Sequence, residues 1–144
     1  MKSLWPTKIE DNKHEITPKE FLSAQIDFLT KATNGKLQGA LRSSSAWSQS
    51  DATTSEDFKG ELFIHSMKVN SPSLGYSFTL LRLVHPTLKV YPFVVYSNLT
   101  DRKYRGETIV ELESILSEVF SSKEVVDAIN SLSSQSEKPE ELPF

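Results

Sequence analysis

The chain contains no cysteine, which excludes disulfide bonds, thiolate metal sites, iron–sulfur clusters and a cysteine nucleophile. It also lacks a long apolar run, since no stretch approaches the ~20 apolar residues that a helix needs to cross a bilayer. Residues 1–15 carry charged side chains where a signal peptide would have its apolar segment. We therefore expect a cytoplasmic protein that does not associate with membranes.

Glycine is also scarce, with five residues scattered along the chain. This spacing excludes the glycine-rich loops that bind phosphate groups, and no Gly-x-Ser-x-Gly motif of a serine hydrolase occurs. The serines of residues 43–50 stand next to a predicted loop with no histidine nearby in sequence. From these absences we predict no catalytic residue and no cofactor.

The three histidines are His14, His65 and His85. If two strands form a hairpin centred on Ser73, residue 65 opposes residue 81, and His85 lies about four residues away. This register does not favour a shared metal ion, because metal sites need ligands that converge on one point. We predict structural histidines and no metal site.

The 144 residues include 38% hydrophobic and 10% aromatic side chains, enough for the core of one domain. We predict an irregular N-terminal arm over residues 1–16, one domain over residues 17–133 and a disordered polar tail over residues 134–144. The fold class is α+β, because one helix precedes a group of strands and two helices follow it.

Helix signals mark both ends of the domain. Thr17 followed by Pro18 and Glu20 is a typical helix start, and Asn34-Gly35 is a typical helix end. A second capping signal at Thr108 opens a helix, and another helix begins near residue 121, both with apolar residues at helical spacing. We expect these two C-terminal helices to pack on the sheet.

Four strands are predicted between the helices, over residues 37–47, 60–69, 76–85 and 90–97, joined as an antiparallel meander. Residues 48–57 and 98–106 are predicted loops. Pro92 cannot donate a backbone hydrogen bond, so the fourth strand lies at an edge or begins near this residue. Strict alternation places Tyr76, Phe78, Leu80, Arg82 and Val84 on one face of the third strand.

The later strands have apolar residues on both faces, so both faces of the sheet need a cover. Helices on opposite sides can provide it. Alternatively all helices pack on one side, and the second face forms a homodimer or encloses a ligand. A ligand would contact an aromatic-lined apolar pocket formed by Phe63, His65, Tyr76, Phe78, Tyr91 and Phe93.

Charge is unevenly distributed although the formal net charge is −3. Residues 59–105 are basic on balance, and residues 106–144 are acidic on balance. Such asymmetry is compatible with binding a charged partner. The candidate partner-binding residues are three acidic side chains of the C-terminal helices and three basic side chains near residue 103, namely Glu111, Glu118, Glu124, Arg102, Lys103 and Arg105.

Three classes of function remain open. The favoured hypothesis is a non-enzymatic protein-interaction module (an inhibitor, an immunity protein or a chaperone-like partner) that binds another protein or a second copy of itself. A small-molecule binding module is the first alternative. An enzyme whose residues leave no local motif is the second. Binding to nucleic acid is not expected, because the chain is acidic overall and the single basic cluster is read as a charged loop.

Overall fold

A computed structural model describes residues 1–6, 16–47 and 58–137. These ranges contain three helices and five strands, and they confirm the α+β class. In chain order the elements are α1 (Pro18–Ala32), β1 (Gln38–Trp47), β2 (Glu61–Ser71), β3 (Tyr76–Pro86), β4 (Phe93–Ser97), β5 (Arg102–Gly106), α2 (Ile109–Ser121) and α3 (Lys123–Gln135).

Side-chain caps define where the helices begin. The Thr17 hydroxyl accepts the Glu20 N–H at 3.2 Å, and the Thr108 hydroxyl accepts an N–H from the first turn of α2 at 3.1 Å. α1 ends at Ala32 and is followed by Asn34 and Gly35, both in the left-handed region with φ of 55° and 80°. No helix within the described ranges is long and apolar enough to cross a bilayer.

The prediction of four strands was wrong, because residues 102–106 form a fifth strand paired with β4. The sequence of β5 is Arg-Lys-Tyr-Arg-Gly, which has no apolar alternation and therefore was predicted as a loop. Asp101, with φ of 55°, provides the turn into this strand. A short strand at the edge of a sheet can be polar because only part of it contacts the core.

The five strands form one antiparallel sheet in the order β1-β2-β3-β4-β5. β4 is internal and starts one residue after Pro92, so the missing N–H falls outside the strand. The predicted loop over residues 48–57 lies outside the described residues. Most of the predicted N-terminal arm (residues 7–15) and of the predicted tail (residues 138–144) also lies outside them.

The register between β2 and β3 differs from the prediction by two residues. The turn is centred between Ser73 and Leu74. A bulge lies between the pairs Met67–Leu81 and Lys68–Thr79. Each feature shifts the pairing by one residue, so His65 opposes Leu83 and not residue 81.

The same bulge changes which residues share a face of β3. Tyr76 and Phe78 pair with alternate residues of β2 that face the helices, whereas Arg82 and Val84 face the opposite side. The predicted grouping of Tyr76 and Phe78 with Arg82 and Val84 on one face was therefore wrong. An extra residue in one strand reverses the alternation beyond it.

All three helices pack on the same face of the sheet, which we call the helix face. Leu22 of α1, Leu116 of α2 and Val125 of α3 belong to one buried cluster with the inward residues of the strands. Of the two arrangements left open by the sequence, the structure therefore has all helices on one side. The strand residues of this cluster are Met67, Val69, Leu80, Leu81, Leu83, Phe93 and Val95.

The opposite face, which we call the far face, has a smaller buried cluster at one end. Phe58, which precedes β2, packs there against apolar residues of the three central strands, namely Leu62, Ile64, Val84 and Val94. Only part of the far face is therefore apolar. The remainder carries the charged residues described below.

The C-terminal end of α3 is attached to the sheet. The Ser136 and Ser71 hydroxyls are both buried and lie 2.6 Å apart, and the Ser73 hydroxyl accepts the Glu137 N–H at 2.9 Å. α3 itself continues to Gln135, two residues beyond the predicted domain boundary at residue 133.

We predict that Gly106→Ala destabilises the protein, because a Cβ at this position would collide with Cζ of the Phe93 ring. Phe93 is fully buried and cannot move aside easily. The expected loss is about 1–3 kcal/mol of unfolding free energy, measured by urea denaturation. In a Phe93→Leu background the same change should cost less. Equal losses in both backgrounds would contradict this packing constraint.

Candidate functional site

The six predicted ligand-binding residues do not form one pocket. The structure arranges them as three aromatic pairs, each with ring centroids about 6 Å apart: Phe63 with His65, Tyr76 with Phe78, and Tyr91 with Phe93. The first two pairs are separated by about six strand residues, or ~20 Å. A single small ligand therefore cannot contact all six side chains.

An apolar groove instead lies between α1 and α3, with a volume of about 320 Å³. Its floor is Met67 and Leu80 of the sheet, and Phe28 of α1 stands 59% exposed at its wall. None of the six predicted ligand-binding residues lines this groove. The remaining lining residues are Gln25, Leu29, Ala32, Phe120, Val125, Val126, Ile129 and Asn130.

A row of basic residues crosses the far face of the sheet. Arg42 of β1, Arg82 of β3 and Lys103 of β5 lie on one line of directly opposed residues, with Ser66 and Tyr96 between them. Lys68 and Arg105 lie on the same face in the adjoining rows. We call the five cations Arg42, Lys68, Arg82, Lys103 and Arg105 the basic face.

The basic face contains no acidic strand residue within the described part of the chain. Arg42, Lys103 and Arg105 are solvent-exposed. The Arg82 guanidinium lies 5.8 Å from the Tyr96 ring centre, and the Arg105 guanidinium lies 5.5 Å from that of Phe58. These cation–π contacts hold both guanidinium groups close to the sheet.

The predicted partner-binding residues are divided between different surfaces. Glu111, Glu118 and Glu124 are exposed on α2 and α3, on the helix side of the sheet. Lys103 and Arg105 face away from the helices, because they alternate along β5 with the helix-face residue Tyr104. Arg102 belongs to the helix-face side of that alternation.

The charged cluster around residue 103 is not a loop, and it is not isolated. Its strand continues a row of cations that begins on β1, more than fifty residues earlier in the chain. This extent was not visible in the sequence, where the five cations are spread over residues 42–105 and separated by apolar segments.

A histidine pair lies at one end of the helix face. Because His65 opposes Leu83, His85 is only two residues away on the adjacent strand, on the same face. The two Nε2 atoms are 3.1 Å apart, and the Phe63 ring stacks on His65 and contacts His85 edge-on. The predicted separation of about four residues was wrong, for the reasons of turn and bulge given above.

The outer atoms of the pair fix the direction of its hydrogen bonds. His85 Nδ1 lies 2.8 Å and 2.9 Å from the carbonyl oxygens of Pro86 and Lys89, which only accept, so this nitrogen carries a proton. Where His85 Nε2 carries no proton, it accepts from the N–H of His65 Nε2. His65 Nδ1 is then an acceptor, and it lies 2.7 Å from the Ser43 hydroxyl, which donates to it.

The neutral state of His65 follows from its environment. Burial, with electrostatic contributions from His85 and Lys19, lowers the pKa of this side chain from 6.5 to about 4. At neutral pH His65 is therefore unprotonated and able to accept the Ser43 proton.

The hydrogen-bonded chain of Ser43, His65 and His85 could not be recognised in the sequence. Ser43 is far from both histidines in sequence and stands in a run of serines that is typical of a loop. The strand pairing of Ser43 with His65 brings them together. The sequence signal that could have indicated this pairing was the predicted strand over residues 37–47, which includes the serine run. In the structure each serine of that run opposes a residue of β2.

No group of three histidine, aspartate or glutamate side chains in the described ranges is arranged to hold a metal ion.

The sequence matches no protein-family model, no curated protein and no solved structure.

The buried His65 predicts a loss of stability in mild acid. Its pKa is about 6.5 in the unfolded chain and about 4 in the folded protein, so below pH 6.5 the unfolded state takes up the proton first. The unfolding free energy therefore falls by up to about 3 kcal/mol as the pH is lowered from about 7 to about 4.

The measurement is the unfolding free energy of the native chain and of His65→Gln between pH 4 and 8. The difference between the two proteins should decrease as the pH falls. A difference that stays constant over this range would contradict the prediction.

Proposed function

We propose that this chain is a protein-interaction module whose basic face binds an acidic segment of another protein. The observation that carries the proposal is the alignment of Arg42, Arg82 and Lys103 in one row across the sheet, with Arg42 and Lys103 exposed to solvent. Clustered charge of one sign steers a partner of the opposite sign and selects against the wrong one.

The spacing of the row suggests the form of the partner. Neighbouring strands are ~4.8 Å apart, so cations on alternate strands are ~10 Å apart, and the row spans ~19 Å. A peptide in the polyproline II conformation advances ~9 Å in three residues and places every third side chain on the same side. A segment with a carboxylate at every third position therefore matches Arg42, Arg82 and Lys103 in order.

A protein partner is favoured over single-stranded nucleic acid. Single strands bind to grooves that offer several aromatic rings for base stacking. The basic row contains a single ring, Tyr96, which is half-buried and has the Arg82 guanidinium near its face. The exposed carboxylates of α2 and α3, with the net charge of −3, also repel a nucleic acid at long range.

Charge reversal tests the proposal. The probe is a synthetic peptide with glutamate at every third position, measured by fluorescence anisotropy at low and physiological salt. Arg42→Glu and Lys103→Glu should each weaken binding by about five- to tenfold, because both replaced side chains are exposed and each variant adds repulsion.

Lys123→Glu is the matched control, because this exposed lysine lies on α3, on the other side of the sheet. It makes the same charge change and should leave the affinity unaltered. Three outcomes would overturn the proposal. The affinity falls equally in all three variants, a glutamine version of the peptide binds equally well, or a single-stranded oligonucleotide binds more tightly than the peptide.

A second candidate function is binding of a small apolar molecule in the groove between α1 and α3. The groove has the volume of a small ligand site, and its lining is apolar apart from Gln25 and Asn130. This alternative retains the hypothesis of a small-molecule binding module, but its site is the groove and not the six aromatic and histidine residues predicted from the sequence.

Filling the groove tests this alternative. Ala32→Trp adds a large ring to its lining, and we expect it to lower the binding of an apolar fluorescent dye (anilinonaphthalene sulfonate) at least fivefold. Ala24→Trp is the control, because Ala24 is an exposed residue of the same helix that does not line the groove. Equal dye binding by all three proteins would rule the groove out as a ligand site.

A further inference from the structure

We propose that Ser43 is a nucleophile that attacks activated carboxylic esters, with His65 as its general base and His85 as a positioning residue. This activity lies on the helix face of the sheet and does not depend on the basic face. Its basis is the hydrogen-bonded chain from the Ser43 hydroxyl through His65 to His85.

The geometry meets the requirements for nucleophilic catalysis. These are an accessible nucleophile, a base within hydrogen-bond reach, and a third group that orients the base. Ser43 is solvent-exposed, its oxygen is 2.7 Å from His65 Nδ1, and His65 Nε2 is 3.1 Å from His85. His85 is itself oriented by the carbonyl oxygens of Pro86 and Lys89, which lie within hydrogen-bond distance of its Nδ1.

The position of Ser43 on an edge strand supplies backbone donors for the oxyanion. β1 pairs only with β2 in the described sheet, so along β1 every second residue directs its N–H away from β2. Either Ser43 itself or its two neighbours, Arg42 and Ser44, therefore present N–H groups on the outer side. Backbone N–H groups at such positions stabilise the negative oxygen of a tetrahedral intermediate.

Two features define the class of ester. Phe63 is 37% exposed beside the histidines, and it offers an apolar surface for the acyl group. His65, with a pKa of about 4, is unprotonated at neutral pH but is a weak base. A weak base favours esters with a good leaving group, such as aryl esters, over amides or alkyl esters.

The reaction balances without any co-reactant other than water. As Ser43 Oγ bonds to the carbonyl carbon, its proton passes to His65 Nδ1. The bond from carbon to the leaving oxygen then breaks, and the leaving group takes the proton. Water attacks the acyl-serine with the same proton path and restores the free hydroxyl of Ser43.

The experiment is covalent labelling of the full chain with an alkyl fluorophosphonate and with p-nitrophenyl acetate, followed by intact-mass and peptide mass spectrometry. We expect one adduct, located on Ser43, with fluoride or p-nitrophenol released. Ser43→Ala should abolish the adduct. His65→Gln should slow labelling by about a hundredfold, which is the scale of general-base assistance.

Ser45→Ala is the matched control. Ser45 is an exposed serine on the same face of β1 as Ser43, and it pairs with Phe63 rather than with a histidine. It should label at the native rate. His85→Gln keeps an acceptor for His65 and should retain labelling that His85→Phe loses. Circular dichroism verifies the fold of each variant, and because Ser43 is exposed, Ser43→Ala should remain folded.

Three results would overturn the proposal, and two of them need only the wild-type protein. No adduct, or an adduct at a serine other than Ser43, excludes a nucleophilic Ser43. If Ser43 is labelled at the same rate in folded His65→Gln, the labelling results from solvent exposure alone, and His65 is excluded as the general base. Loss of peptide binding at the basic face would leave this labelling unchanged, so the two proposals fail separately.

Discussion

The packing of three helices on one face of a five-stranded sheet is the constraint on which the rest of this structure depends. Burying the inward residues of β2, β3 and β4 under Leu22, Leu116 and Val125 provides most of the core. Because strand side chains alternate, this arrangement directs every other residue to the far face. The positions of the basic residues and of the Ser43 chain both follow from that alternation.

The elements with strong local signals could be predicted from the sequence. Helix starts at Thr17 and Thr108 depend on a side chain that caps the nearest N–H groups, and the end of α1 needs Asn34 and Gly35 in the left-handed region. β5 could not be predicted in this way. It is held by pairing to β4, which is a tertiary interaction and leaves no apolar pattern in its own sequence.

The candidate sites were less predictable than the fold, because they depend on register. Two single-residue shifts, one in the turn and one in the bulge, decide that His85 lies next to His65 and that Arg82 faces away from the helices. Neither shift has a distinctive residue pattern. The individual histidines and the basic segment at residue 103 were identified from sequence, whereas their neighbours Ser43, Arg42 and Arg82 required the assembled sheet.

The two edges of the sheet differ in their resistance to uncontrolled association between chains. β5 is short and carries three cations, which disfavour the addition of a further strand. β1 has ten residues, mostly small or uncharged, with Arg42 as its single charge. Intermolecular strand addition, and the aggregation that follows from it, is therefore expected to begin at β1.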